Sequence, residues 1–462
     1  MATSHSKSNA TSEKLELQGS AASGMLWVIG VVGVLAAIAL GLFVDHSSKR
    51  FFFSYLTGFM FVLAIALGGL FFTMVQHLVK AAWSVNVRRV AEWLAAAMPV
   101  VGILSAPLVV PVLLHQSPIF VFAGAEKPAE LAEKPEISGE KAAVELNKTA
   151  PTEGAKAEVT KSENPAVEAK GKAEKGETHE EMHGFKAVYL NPVFWTVRVI
   201  FYFVVWSIIG ILFWKKSLEQ DKTGSLDITN YLQRISPVCT IIYAFTLTGA
   251  SFDFLMALDP EWSSTIFGVY YFAECVLAVM ATIVIVVTLL QRAGYLTESV
   301  TSEHFHDLGK FLFAFTFFWG YIAFSQYMLQ WYANLPEETL WYRHHGATQA
   351  QGSITPWTYV VIALLFGHLL IPFAGLLSRH VKRNKYSLMF WAIWQLVFIW
   401  VDLYWIVMPQ LDYNFHFGLI DIVAPIGLAG VYFAFVMSRA KQGSLRPLQD
   451  PRLEASLQFQ NI

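Results

Sequence analysis

Residues 306–342 read HDLGKFLFAFTFFWGYIAFSQYMLQWYANLPEETLWY, and this stretch decides the fold. From Asp307 to Tyr332 it is long and apolar enough to cross a hydrocarbon core of about 30 Å as one helix. Gln326, Gln330 and Asn334 follow one another at intervals of four, so they share one helix face. Lipid offers such a face no hydrogen-bond partner. The stripe is therefore predicted to look into a protein interior or a wet cavity, which makes it a candidate functional surface.

Composition puts the rest of the chain in the same setting. Of 462 residues, 55% are hydrophobic, 15% aromatic and only 15% charged, where soluble chains carry about a quarter charged residues. The formal net charge of −2 says nothing about partners; the apolar spans call for a lipid bilayer, and no nucleic-acid role is expected. Cys239 and Cys275 stand singly in apolar runs, without the spacing of an iron–sulfur or c-type haem site, so neither group is expected on this chain. The polar lead-in MATSHSKSNATSEKLELQGSAASG has no short apolar core of a cleaved signal peptide, so the first apolar run reads as a retained span.

Ten runs are long enough to span: 24–44, 51–78, 89–114, 193–214, 237–257, 264–291, 307–332, 356–378, 386–408 and 418–438. Pro99, Pro107, Pro111 and Pro372 lie inside them. They are read as kinks, because neighbouring helices can re-satisfy the carbonyls that proline frees. The fold class expected is an all-α membrane protein of about ten transmembrane helices, organised as a tail at 1–23, helices one to three at 24–122, an insertion at 123–186, helices four to ten at 187–438 and a tail at 439–462. With both tails on one side, that side's short loops collect Lys80, Arg88, Arg89, Lys215, Lys216, Arg379, Lys382 and Arg383, whereas the opposite loops hold Lys49, Arg50 and Arg343. The positive-inside rule then puts both termini in the cytoplasm. The Ala/Glu/Lys/Pro-rich insertion has no aromatic anchor over most of its length and is expected to be disordered and periplasmic.

A thin internal repeat runs through the spans. FFTMVQHLVKAAW followed by VRRVAEWLAAAMPVVG resembles VIVVTLLQRAGYL followed by FHDLGKFLFAFTFFWG, and spans four and eight open with Pro192 and Pro356. It suggests two four-helix bundles, spans 2–5 and 6–9, with spans one and ten peripheral.

An ionisable side chain inside a span costs at least about 2.5 kcal/mol, so each asks for a reason. Glu274 and His368 fall near mid-membrane, Asp253 and Asp402 in the periplasmic third, and Glu92, His77, His306 and Asp307 toward the cytoplasmic ends. Carboxylates and imidazoles are what a proton relay uses. The competing structural reading is a buried acid paired to Arg198 or clipped between helices. Tyr270, one turn before Glu274, is a hydroxyl partner for a proton step. His77 and His115 sit at opposite ends and His368 alone, which disfavours haem ligation. His344 and His345 read as solvated loop residues, with no metal expected. Trp331, Tyr332, Trp341, Tyr342, Trp357, Tyr404 and Trp405 fit an interfacial aromatic belt.

The 306–342 stretch, the span-two run FFFSYLTGFMFVLAIALGGLFFTMVQHLVKAAWSVNVRRVAEW and LTGASFDFLMALDPEWSSTIFGVYYFAE together resemble the F subunit of bacterial alternative complex III, a divergent relative of the NrfD/polysulfide-reductase membrane anchors. The likeness covers roughly residues 24–438, and its most specific strings are WYANLPEE and FDFLMALDPEW. The resemblance implies a subunit of a quinol-oxidising, cytochrome c-reducing respiratory complex, with a paralogous NrfD-like subunit among its partners. It implies that haem c and iron–sulfur clusters sit in partner subunits, and that quinone or quinol is the small molecule concerned, with no cofactor bound by this chain alone. Asp253, Asp259, Pro260, Glu261, Glu274 and Gln326 lie within the matched strings; His368 and Asp402 lie outside the distinctive ones. The alternative readings are a stand-alone secondary transporter or channel, and a purely structural anchor.

Overall fold

The computed structural model describes residues 13–17, 21–43, 48–123, 185–347, 354–412 and 414–461; the central part of the insertion, 124–184, lies outside them. Ten helices are long and apolar enough to cross a membrane, and the described residues contain no strand. We number them α1 (Ala21–Phe43), α2 (Ser48–Leu78), α3 (Val85–Leu113), α4 (Pro192–Thr223), α5 (Leu226–Phe254), α6 (Phe267–Arg292), α7 (Ser302–Ala333), α8 (Pro356–Leu376), α9 (Lys385–Val407) and α10 (Ile420–Ala440). The chain is a multi-pass, all-α membrane protein.

The helices close into two four-membered rings. In the first, α2 packs on α3 and α5, and α4 on α3 and α5; in the second, α6 packs on α7 and α9, and α8 on the same two. The rings join mainly through α2 against α6, and the peripheral pair α1 and α10 leans on α2. This is the arrangement the internal repeat suggested. Small residues set the α1–α10 approach: a Cβ on Gly33 would stand 2.6 Å from the Gly427 Cα, so the two backbones touch.

Helix ends follow caps rather than the edge of the apolar run. Ser225 Oγ accepts from the Asp227 N–H at 3.2 Å, so α5 begins eleven residues before the apolar run at 237. At the start of α7, Thr301 Oγ1 accepts from the Glu303 N–H and His304 Nδ1 accepts from the Thr301 N–H at 3.1 Å, a capping box. Pro99 and Pro107 break α3 into three segments, Val85–Ala96, Met98–Leu104 and Ala106–Leu113, without ending the span.

Both described termini lie at one end, here the tail end. The Leu445 N–H donates to the Leu15 carbonyl at 2.7 Å, and Lys14 pairs with Tyr295. At the loop end the aromatic-belt reading needs correction. Trp331 and Tyr332 are exposed, but Trp341, Tyr342, Trp357, Tyr404 and Trp405 are buried, because the short helix Pro336–His344 folds back against the second bundle. His345 is likewise buried and not solvated: its ring stacks on Trp341 at 3.7 Å and its two nitrogens face the Trp341 and Ile406 carbonyls at 2.7 and 3.2 Å.

Candidate functional site

The second bundle carries the polar interior. Glu274 on α6, His368 on α8 and Asp402 on α9 are all fully buried. His368 Nδ1 stands 3.9 Å from Glu274 Oε1, and the Asp402 carboxyl lies beside that of Glu274. The Tyr270 hydroxyl, one turn before Glu274, is 2.7 and 2.8 Å from the two Asp402 oxygens and donates to that carboxyl group. Trp319 on α7 stacks on the His368 ring, centroids 3.9 Å apart. Among the described residues no lysine or arginine forms an ion pair with Glu274 or Asp402. The sequence alone put these two acids at different depths. The structure brings their carboxyl groups together across the α6–α9 contact.

Proline chemistry places His368. Residues Leu365–Leu370 form a π-turn within α8, and Pro372 has no N–H to return to the carbonyls of Gly367 or His368. Side chains from α9 take over: Trp394 Nε1 donates to the Gly367 carbonyl at 2.7 Å, and Gln395 Nε2 to the His368 carbonyl at 3.4 Å and to Thr316 Oγ1 at 2.7 Å. The Phe398 ring occupies the space that a Cβ on Gly367 would need, so residue 367 must be glycine for this approach. The result is an imidazole held by its backbone while both ring nitrogens keep free of hydrogen bonds.

Asp253 belongs elsewhere. Arg198 of α4 grips both of its oxygens, Nη2 to Oδ1 at 2.7 Å and Nε to Oδ2 at 3.1 Å, and the Tyr202 hydroxyl donates at 3.0 Å. Tyr189 and Phe194 rings cover the guanidinium at 3.8 and 4.5 Å. This is a closed clip between α4 and α5, the structural reading weighed for a buried acid. Glu92 and His77 are buried at the tail end of the first bundle, where Glu92 pairs with Arg88 at 2.9 Å. Asp307 pairs with Lys310 at the tail end of α7. In the polar stripe, Gln326 accepts from Ser264 Oγ at 2.9 Å and donates to the Tyr342 hydroxyl at 3.2 Å, while Gln330 accepts from Trp262 Nε1 at 3.1 Å. Both therefore face protein. Asn334 does not: it is the exposed left-handed cap of α7, at φ 51°. In the turn after α5, Asp259 Oδ1 accepts from the Glu261 N–H at 3.2 Å.

Sequence reasoning passed over Asp421, which is buried at the start of α10 and paired to Arg50 at 2.6 Å. An acid in the first turn of an apolar run was the available signal. Thr316 and Trp319 were missed because neither is ionisable, although they lie three apart on the inner face of α7.

The described residues hold no group of three or more His, Cys, Asp or Glu able to bind a metal ion. A groove of about 360 Å³ on the bundle exterior is lined by Phe272, Phe315, Phe317, Phe318 and Tyr321. Such a lining suits hydrocarbon but offers a quinone head group almost no donor. Compared with known proteins, the chain matches no family model and no curated relative.

Proposed function

We propose that this chain is a proton-conducting membrane subunit of a respiratory assembly that oxidises quinol and passes electrons to cytochrome c or another periplasmic acceptor. The observation that carries the proton role is the buried Glu274–Asp402 pair, with His368 3.9 Å from Glu274 and, among the described residues, no lysine or arginine ion-paired to either acid. Two like charges in a low dielectric repel strongly, so one carboxyl group of the pair keeps its proton. A held proton beside an imidazole with free nitrogens is a proton that can be passed on. Asp253 contrasts: its charge is matched by Arg198, and its role is to tie α4 to α5.

The redox setting rests on the resemblance of WYANLPEE and FDFLMALDPEW to the F subunit of alternative complex III. Haem and iron–sulfur carriers, and the quinol oxidation site, then belong to partner subunits. The basic short loops of the tail end support a cytoplasmic placement of both termini. Affinity purification of the tagged chain from its native membrane in mild detergent tests the setting. Co-purifying haem absorbance and a second NrfD-like polypeptide are expected; a colourless, self-sufficient protein would favour the stand-alone transporter.

A further inference from the structure

The tail end of the first bundle holds charges that the proton reading does not use. Arg88 and Arg89 open α3 and are fully buried. Arg88 donates to Glu92 at 2.9 Å and to Asp450 at 2.8 Å, Arg89 donates to Asp221 at 2.6 Å, and Arg452 Nε reaches Asp450 at 3.4 Å. Three guanidiniums thus meet three carboxylates. Several polar atoms remain over: the donors Arg88 Nη1, Arg89 Nη1 and both Nη atoms of Arg452, and the two ring nitrogens of His77, are buried without a protein partner. His77 packs on Phe213 within electrostatic reach of Arg88, Arg452 and Asp450, so these atoms share one region.

Buried donors without acceptors are rare in folded proteins, and a cluster of them needs an occupant. A further anion fits poorly, since the carboxylates already balance the guanidiniums and one more charge would be buried uncompensated. A small neutral acceptor that also donates fits, and water is that molecule.

The C-terminal segment covers this region. The Leu448 N–H donates to Asp221 at 2.8 Å, Asp450 inserts onto Arg88, Ser456 Oγ donates to the Trp83 carbonyl at 3.0 Å, and Asn461 Nδ2 reaches the Glu303 carbonyl on the second bundle at 3.1 Å. Burial pushes the Asp450 carboxyl up, but the Arg88 charge, the Arg452 N–H and the Arg452 charge outweigh it and hold it down to about 2. Asp450 is therefore an anion at any physiological pH.

We propose that the tail end of the first bundle encloses bound water bridging Arg88, Arg89, Arg452 and His77, and that residues 441–461 are its lid, latched by Asp450. The inference is independent of the proton-relay reading of the second bundle.

Pulsed X-ray radiolysis of the full chain in its native complex, mixed with oxygen-18 water and read by mass spectrometry, tests it. Radicals born from bound water should oxidise the buried His77 in the wild type, with the heavy label arriving later there than at exposed His416. Asp450→Asn keeps the shape and removes the charge, so label arrival at His77 should speed up by about tenfold, the lower end of what losing a hydrogen bond to a charged group does to an opening equilibrium. An unoxidised His77 in the wild type sinks the water. Oxidation with arrival as fast as at His416, or unchanged by Asp450→Asn, sinks the lid. Should Asp450→Asn not assemble, Ser456→Ala loosens the same segment at its other anchor and must also hasten arrival.

Discussion

At the scale of single residues, two buried acids have opposite surroundings. Asp253 is saturated by Arg198 and Tyr202, whereas neither Glu274 oxygen has a hydrogen bond of good geometry. Asp253→Ala would strand the Arg198 guanidinium; a broken buried pair costs roughly 3–5 kcal/mol, and the low end applies because Arg198 keeps 13% of its side chain exposed. Thermal unfolding of the purified assembly should register the loss, while surviving complexes keep their proton stoichiometry. A stable variant that has lost proton movement would return Asp253 to the relay. His345 supplies the pH dependence. Burial lowers its pKa from 6.5 to about 4, against the opposing pull of the Trp341 and Ile406 carbonyls. Between those values the unfolded chain binds the proton and the folded chain does not, so stability falls as pH drops from about 6.5 to about 4 and is level above that window. Comparing the stability of wild type and His345→Gln across this range should show an extra loss of up to about 3 kcal/mol in the wild type between its upper and lower ends; parallel curves would mean that His345 takes up its proton in the fold as it does in the unfolded chain.

At the scale of elements, helix α8 shows what was legible and what was not. Pro372 announced a kink and His368 announced an ionisable group in lipid, both from the sequence. The π-turn that links them depends on Trp394 and Gln395 arriving from α9, and the register between two helices is set by packing that no local pattern encodes. The same limit hid the meeting of Glu274 with Asp402, 128 residues apart, although each had been singled out alone. Pro372→Ala restores an N–H that competes with Trp394 and Gln395 for the freed carbonyls. The turn should relax toward α-helix and loosen the hold on His368. The expected outcome is slower proton movement with a melting temperature within about 3 °C of wild type; unchanged proton movement would show that the π-turn does not matter to the relay.

At the scale of the whole molecule, ten apolar runs and a thin repeat sufficed to read two four-helix bundles and a peripheral pair, because membrane length and hydropathy act on every span alike. The division of labour between the bundles was not legible. The first is stapled by matched charges, Asp253 with Arg198 and Arg88 with Glu92 and Asp450, while the second keeps an unmatched acid pair at its centre. That asymmetry is the central claim, and one measurement reaches it most directly. Glu274→Gln preserves volume and hydrogen-bonding capacity but cannot titrate, so it separates proton transfer from packing. In the complete assembly reconstituted into vesicles and driven by quinol, Glu274→Gln and Asp402→Asn should each lower proton movement or turnover at least about tenfold, with subunit composition unchanged. Fully assembled variants that both retain wild-type rates and proton stoichiometry would contradict the account and leave the acid pair an interhelical contact.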